Sequence, residues 1–169
     1  EYSALSHQRA AQAQESGALS EEIAPVTVAG RRGETVVATD EGVRSGTTGE
    51  SLGRLKPAFA DAGTITPGNA SQLSDGAAAV VMMSAERARR EGLTPLAEIG
   101  AYGTVAGPDP SLLVQPAGAI RDALSRDGRL KTADLDLFEI NEAFASVALA
   151  SVRELDIPLD RVNVNGGAI

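Results

Sequence analysis

A layered α/β fold is the architecture this sequence predicts, and three observations carry the prediction. Short aliphatic and β-branched runs alternate along the chain with stretches of helical spacing, the order expected when helices cover a sheet. One of those runs, Ala77 to Met83, is apolar without interruption, as in a strand buried on both faces. Finally, 43% of the 169 residues are hydrophobic against 22% charged, which is enough apolar material for a core.

The elements follow in order. Residues 1–15 are rich in Ala, Gln, Glu and Arg with no Gly or Pro before Gly17, which predicts a helix. Its apolar stripe is weak, only Tyr2 and Leu5, and His7 falls away from that stripe, so this helix is read as polar and His7 as solvent-exposed. The β-rich runs 23–29 and 35–39 flank Gly30-Arg31-Arg32-Gly33-Glu34, whose glycines suit a hairpin connection. Residues 40–75 are irregular, with six glycines and prolines at 57 and 67, and read as a long loop region of the kind that carries binding residues. Beyond the strand at 77–83, Ser84 is placed to cap a helix over 85–91 that Gly92 stops. Residues 96–102 read as a second strand. A helix over 116–127 is expected from the Ile120, Ala123, Leu124 stripe. The acid and apolar alternation of 135–140 reads as a strand. After it, Phe144, Val147, Ala148, Ser151, Val152 and Leu155 mark one buried helix face, and 161–169 reads as a strand entering a glycine turn.

Composition removes several functions. With 15 basic and 23 acidic residues the net charge is −8, which disfavours nucleic acid and anionic membranes as partners. No cysteine means no disulfide, iron–sulfur cluster, thiolate zinc site or cysteine nucleophile within these residues. With a single histidine, no cysteine and acids scattered along helices and turns, neither a His-based triad nor a metal cluster is expected. No apolar run approaches the ~18 residues of a membrane span, and the first residues have no signal-peptide pattern, so a cytoplasmic protein is expected. The stretch Gly46-Thr47-Thr48-Gly49-Glu50-Ser51 lacks the Gly-Lys-[Ser/Thr] core of a nucleotide phosphate loop.

Two places could hold chemistry. Asn141 sits where a strand is expected to end and a helix to begin, close to free N–H groups and the positive end of a dipole, a good place to hold an oxyanion. Asn is also a preferred N-cap, which is the commoner reason for an Asn at such a place. The segment 64–76 packs hydroxyl and amide side chains between glycines that allow a ligand close to the backbone, although it also reads as a plain polar loop. Arg31, Arg32, Arg44 and Lys56 are the nearby cations that an anionic ligand would need, or simply solvated surface charge.

Four ordered segments together resemble the thiolase family, its acetyl-CoA acetyltransferases in particular: Leu55-Lys56-Pro57-Ala58-Phe59, Gly63 to Ser71 with Ser74-Asp75-Gly76-Ala77-Ala78 behind it, Asn141-Glu142-Ala143-Phe144-Ala145, and Val162 to Ile169. The resemblance implies part of a layered αβαβα fold: residues 1–76 as a portion of the CoA-binding loop domain, 77–93 as the last strand and helix of the first half, and 94–169 as the start of the second half. It also implies an acyltransferase that joins two acetyl-CoA molecules into acetoacetyl-CoA, or cleaves 3-ketoacyl-CoA with free CoA, through an acyl-cysteine. The cysteines and the catalytic histidine of that chemistry are not among these residues, so the isolated chain is expected to be inactive. What remains of the catalytic set is Asn141, which in the family's motif holds a water against the thioester oxyanion. Arg44, Ser51 and Ser71 align with CoA contacts, and Phe59, Pro67, Leu73, Ala143 and Phe144 with the apolar wall. No metal and no cofactor beyond the CoA thioester substrate is implied. Self-association, or association with the remaining thiolase segments, is expected. A non-catalytic acyl-CoA-binding or oligomerisation module is the alternative.

Overall fold

The structure, a computed structural model, describes residues 1–109 and 111–169. Five helices organise it: α1 (Tyr2–Ser16), α2 (Gly49–Gly53), α3 (Ala85–Arg90), α4 (Gln115–Asp127) and α5 (Ala145–Leu155). The strands β1 (Val26–Gly30) and β2 (Gly33–Val37) form an antiparallel hairpin in the register Val26↔Val37 to Gly30↔Gly33. The hairpin lies where predicted, but its connection is only Arg31-Arg32 rather than residues 30–34, and Gly33, at φ +117°, adopts a backbone geometry that L side chains rarely reach.

Local signals place the helix ends. Gly17 and Gly128 close α1 and α4 in the left-handed conformation. The Ser84 hydroxyl accepts the Arg87 N–H at 3.1 Å, capping α3 as its position suggested. Within the 40–75 loop region, Thr48 caps the short α2 by a reciprocal pair of hydrogen bonds with Ser51.

Two apolar clusters hold the second half together. Helices α4 and α5 pack through Ala117, Phe138, Ile140, Leu155, Ile157 and Val162, all buried, with Ile120 and Val152 against them. A smaller cluster joins Tyr2 of α1 to Ala145 and Ala148 of α5 and to Ile169. Arg9 then ties α1 to the residues after α5, its guanidinium donating to the carbonyls of Leu159 (3.2 Å) and Val162 (2.6 Å).

Several sequence expectations are corrected. Residues 77–83 and 96–102 run without strand pairing, and Val81 (88% exposed) and Leu96 (fully exposed) lie in solvent, because no other described segment runs alongside to complete a ladder. In the stretch 135–140 only Phe138 pairs, in one parallel bridge to Val162. The ladder stops there because Asn163 turns to φ +47° and its side-chain amide replaces the next backbone partner, donating to the Ile140 carbonyl and accepting the Ile140 N–H, both at 2.8 Å. The predicted strand at 161–169 is therefore a 3-10 turn ending at Arg161, one bridge residue and a glycine turn. Helix α1 is not a polar surface helix: Tyr2, Ser3, Ala4, Ser6, His7, Ala11 and Ala13 are all buried. Its buried face is built of small and hydroxylated side chains, which carry almost no hydropathic signal.

Candidate functional site

Three remote segments converge beside α1. The Ser71 N–H donates to the Ala143 carbonyl (3.1 Å), the Ala145 N–H to the Asn69 carbonyl (2.9 Å), and the Gln72 N–H to the Ala168 carbonyl (3.3 Å). Ala70 and Phe144 form an antiparallel bridge. The loop 64–76, the 141–145 segment and the closing glycine turn thus share one wall.

Under that wall lies a carboxylate. Glu142 is fully buried, and four donors meet its two oxygens: the Tyr2 hydroxyl (2.6 Å) and Asn163 Nδ2 (2.9 Å) on Oε1, the Ser6 hydroxyl (2.7 Å) and the Ile169 N–H (3.2 Å) on Oε2. Ser6 Oγ in turn accepts the Gly167 N–H at 3.0 Å. A Cβ on Gly167 would fall on the Glu142 carboxyl group, so the absence of a side chain there is what lets the backbone close over it. Burial, together with the hydrogen bond from its hydroxyl to Glu142, holds the Tyr2 phenol well above its usual pKa. Burial first, and then the Glu142 charge, raise the Glu139 carboxyl.

Asn141 stands on the opposite side of this chain segment, exposed, and its amide makes no hydrogen bond among the described residues. It is not the N-cap that its position suggested. Because Ala145 gives its N–H to Asn69, the helix begins only at Ala145, with Phe144 in the cap position.

Next to the shared wall is a hollow of about 110 Å³. His7 of α1, Arg44 and Thr47 form one side, Leu52 and Leu55 another, and Pro67, Ala70, Gln72 and Ile169 complete it. A second, shallower hollow of about 270 Å³ lies across Leu52, Leu55 and Gly68, reaching Ser3, Thr66 and Asn69. Between the two, Gly68 is so closely covered that a Cβ would come within 2.6 Å of the Leu52 and Leu55 methyls.

His7 is buried rather than exposed, a further correction. Its Nδ1 accepts the Arg44 N–H at 3.3 Å, which places the proton of the neutral ring on Nε2. Burial, then the Arg44 charge, lower its pKa, and Glu142 partly opposes them.

Of the residues marked by sequence, Arg44 and Pro67 line the first hollow, and Ser71, Ala143 and Phe144 meet in the shared wall two residues from Asn141. Three stand apart. Ser51 lines neither hollow and uses its hydroxyl in the α2 cap, while Phe59 (76% exposed) and Leu73 (fully exposed) project into solvent. Sequence reasoning missed His7, Gln72, Glu142 and Asn163. The available signal was Glu142 itself, an acid followed directly by the apolar Ala143-Phe144-Ala145 with no basic residue near it in sequence. Among the described residues, no group of three or more metal-binding side chains converges, and no helix is long and apolar enough to cross a membrane.

Residues 1–86 match the family described as "Thiolase, N-terminal domain" and residues 93–169 that described as "Thiolase, C-terminal domain". The chain is 56% identical over its whole length to a probable acetyl-CoA acetyltransferase of Mycolicibacterium smegmatis, covering 44% of that protein. It is 48% identical to the acetyl-CoA acetyltransferase of Paracoccus denitrificans, covering 43%. The crystal structure of the Bacillus anthracis acetyl-CoA acetyltransferase superposes over 98% of this chain and 42% of its own with a TM-score of 0.92 at 48% identity. That of human mitochondrial 3-ketoacyl-CoA thiolase does so over 99% and 42% with a TM-score of 0.91 at 43% identity. The backbone is therefore part of that α/β fold, and the chain spans about two fifths of the length of the curated relatives it matches.

Proposed function

The chain belongs to the thiolase family, and from that premise we propose that it forms the CoA-cradling middle of an acetyl-CoA acetyltransferase. The reaction joins the α-carbon of one acetyl thioester to the acyl carbon of another with release of a CoA thiol, or runs in reverse as thiolysis of a 3-ketoacyl-CoA. In the first step an acyl group moves to an enzyme thiolate. These 169 residues contain no cysteine, so the chain by itself is expected to be inactive.

The hydrogen bonds that bring Ser71 to Ala143 and Gln72 to Ala168 carry this reading, because they set the loop against the Asn141 segment with a hollow beside them. Ser71 would bond the pantetheine arm, Arg44 and Ser51 the more polar end of CoA, and Pro67, Ala143 and Phe144 would form the apolar wall, which Phe59 and Leu73 would join on closing over the ligand. Asn141 would hold the water that meets the thioester oxygen, a contact of a kind worth ~10²–10³ in rate. Residues 1–76 would be the loop domain, 77–93 the end of the first half and 94–169 the beginning of the second. A cytoplasmic location follows from this metabolic role, with CoA thioesters and further thiolase segments or copies as partners.

The test is a comparison of samples. The purified 169-residue chain is expected to show no acetoacetyl-CoA thiolysis, and the product of the complete reading frame to show it. Retention of the chain on immobilised CoA, reduced in Arg44→Ala and Ser71→Ala, supports the cradle, and turnover by the verified 169-residue chain overturns the dependence on a cysteine. The absence of any cysteine also favours a second reading, a non-catalytic acyl-CoA-binding module. Cysteine-bearing flanks in the coding frame would remove it.

A further inference from the structure

We propose that Glu142 is a positioning residue for Asn141: its buried carboxylate fixes the backbone that aims the Asn141 amide. This inference rests on the reading of Asn141 as the group that meets the thioester oxygen.

The two residues are consecutive and face opposite ways, one fully buried and one exposed. No ladder holds the backbone between them. Phe138 makes the last bridge of its segment, α5 starts only at Ala145, and residues 141 and 142 have no regular structure. What fixes the turn is side-chain bonding. Glu142 reaches α1 through Tyr2 and Ser6, the segment after α5 through Asn163, and the glycine turn through Ile169. Asn163 closes the loop by gripping both backbone groups of Ile140, on the other side of Asn141.

Such a device is a poor choice for stability alone. All four donors to the carboxylate are uncharged, so no opposite charge offsets the cost of taking it out of water, while its removal leaves buried donors unsatisfied. Its benefit is geometric. A carboxylate accepts from every direction at once, so it enforces one mutual placement of α1, the 141–145 segment and the glycine turn. An amide in its place would turn an N–H against either Tyr2 and Asn163 or Ser6 and Ile169, and the segment would have to rotate.

The test is a double-mutant cycle on kcat in the protein from its complete reading frame, assayed by acetoacetyl-CoA thiolysis well below the unfolding midpoint. Asn141→Ala is expected to lower kcat about 10²–10³-fold. Glu142→Gln should lower it about 10- to 100-fold alone and cause no further loss when added to Asn141→Ala, since residues acting as a unit are not additive. If Glu142→Gln does not fold, Ser6→Ala and Tyr2→Phe, each removing one donor, should lower kcat several-fold and likewise have no effect in the Asn141→Ala background. A loss that multiplies with Asn141→Ala, or a kcat unchanged by all three substitutions, overturns the positioning role while leaving Asn141 in place. Full turnover in Asn141→Ala, or none in the unmutated protein, overturns the Asn141 reading and this inference with it.

Discussion

Around Glu142 a carboxylate, two hydroxyls and an amide are sealed from water, whereas along residues 77–83 the most apolar run of the chain lies in it, with Val80, Val81 and Met82 at least 70% exposed. A hydropathy scale would assign these two regions the other way round. The difference is in partners. Polar atoms tolerate burial where each finds a mate that offsets its lost hydration, as Tyr2, Ser6, Asn163 and Ile169 do on one carboxylate. An apolar run becomes interior only when something is placed against it, and among the described residues nothing is.

The sharpest way to break this contrast is Glu142→Ala, which leaves the Tyr2 and Ser6 hydroxyls and the Ile169 N–H without their acceptor and Asn163 Nδ2 with the Ile140 carbonyl. Each buried neutral donor left unsatisfied costs about 1–3 kcal/mol, so urea unfolding should show a loss of about 3 kcal/mol or more as a lower midpoint at unchanged slope. A loss under ~1 kcal/mol would mean that water reaches the donors and the junction is not sealed.

Next in size is the effect of close packing. Gly103 lies against α4 so tightly that a Cβ would meet the backbone of Ala119 and Ala123, while at Gly46 it would meet nothing within 4 Å. Gly103→Ala should destabilise by about 1–3 kcal/mol and Gly46→Ala by no more than about 0.5 kcal/mol in the same unfolding assay. Equal effects would show that the α4 contact yields without strain.

Smaller again is the pH response of His7. Its folded pKa lies below the unfolded value of about 6.5, so as pH falls through that value the unfolded state takes up the proton first and stability declines towards the folded pKa. Glu139, raised in the folded state, works the other way at lower pH. The reading is therefore the difference between the protein and His7→Gln, expected to be constant above pH 7 and to narrow as the pH drops below it. A difference independent of pH would place His7 in water.

The exposed run gives the smallest change in stability and the clearest change in behaviour. Val81→Lys should alter unfolding by no more than about 0.5 kcal/mol and should reduce concentration-dependent sedimentation, since exposed apolar runs with unpaired edges drive association. Unchanged sedimentation would put the contact between copies elsewhere.

What the sequence disclosed follows the same division. Signals that act within a few residues were legible: Gly17 and Gly128 as helix ends, Ser84 as a cap, the glycines of the hairpin, the α5 face at Val147, Ala148, Ser151 and Leu155. Features decided by distant partners were not. Residues 77–83 have the composition of a strand and, among the described residues, no neighbour to make them one. His7 and Ser6 look like surface residues until the Arg44 loop and Glu142 are set against them. Asn141 looks like a cap until Asn69, 72 residues earlier in the numbering, takes the Ala145 N–H and delays the helix. The motif resemblance marked Ser71, Ala143 and Phe144, which do meet, while the Ser51 hydroxyl turns back onto Thr48, three residues away, a local capping pattern that was there to be read.

The bond from the Gly167 N–H to Ser6 spans 161 residues, and that from Tyr2 to Glu142 spans 140. On a ribosome adding roughly 5–20 residues per second, α1 would emerge roughly 8–30 s before the turn that seals its hydroxylated face. During that interval Tyr2 and Ser6 are without the Glu142 and Gly167 partners they bond in the folded chain. Helix α1 is therefore made well before the residues that seal it, and loop closure over so long a span makes this junction a slow step of folding.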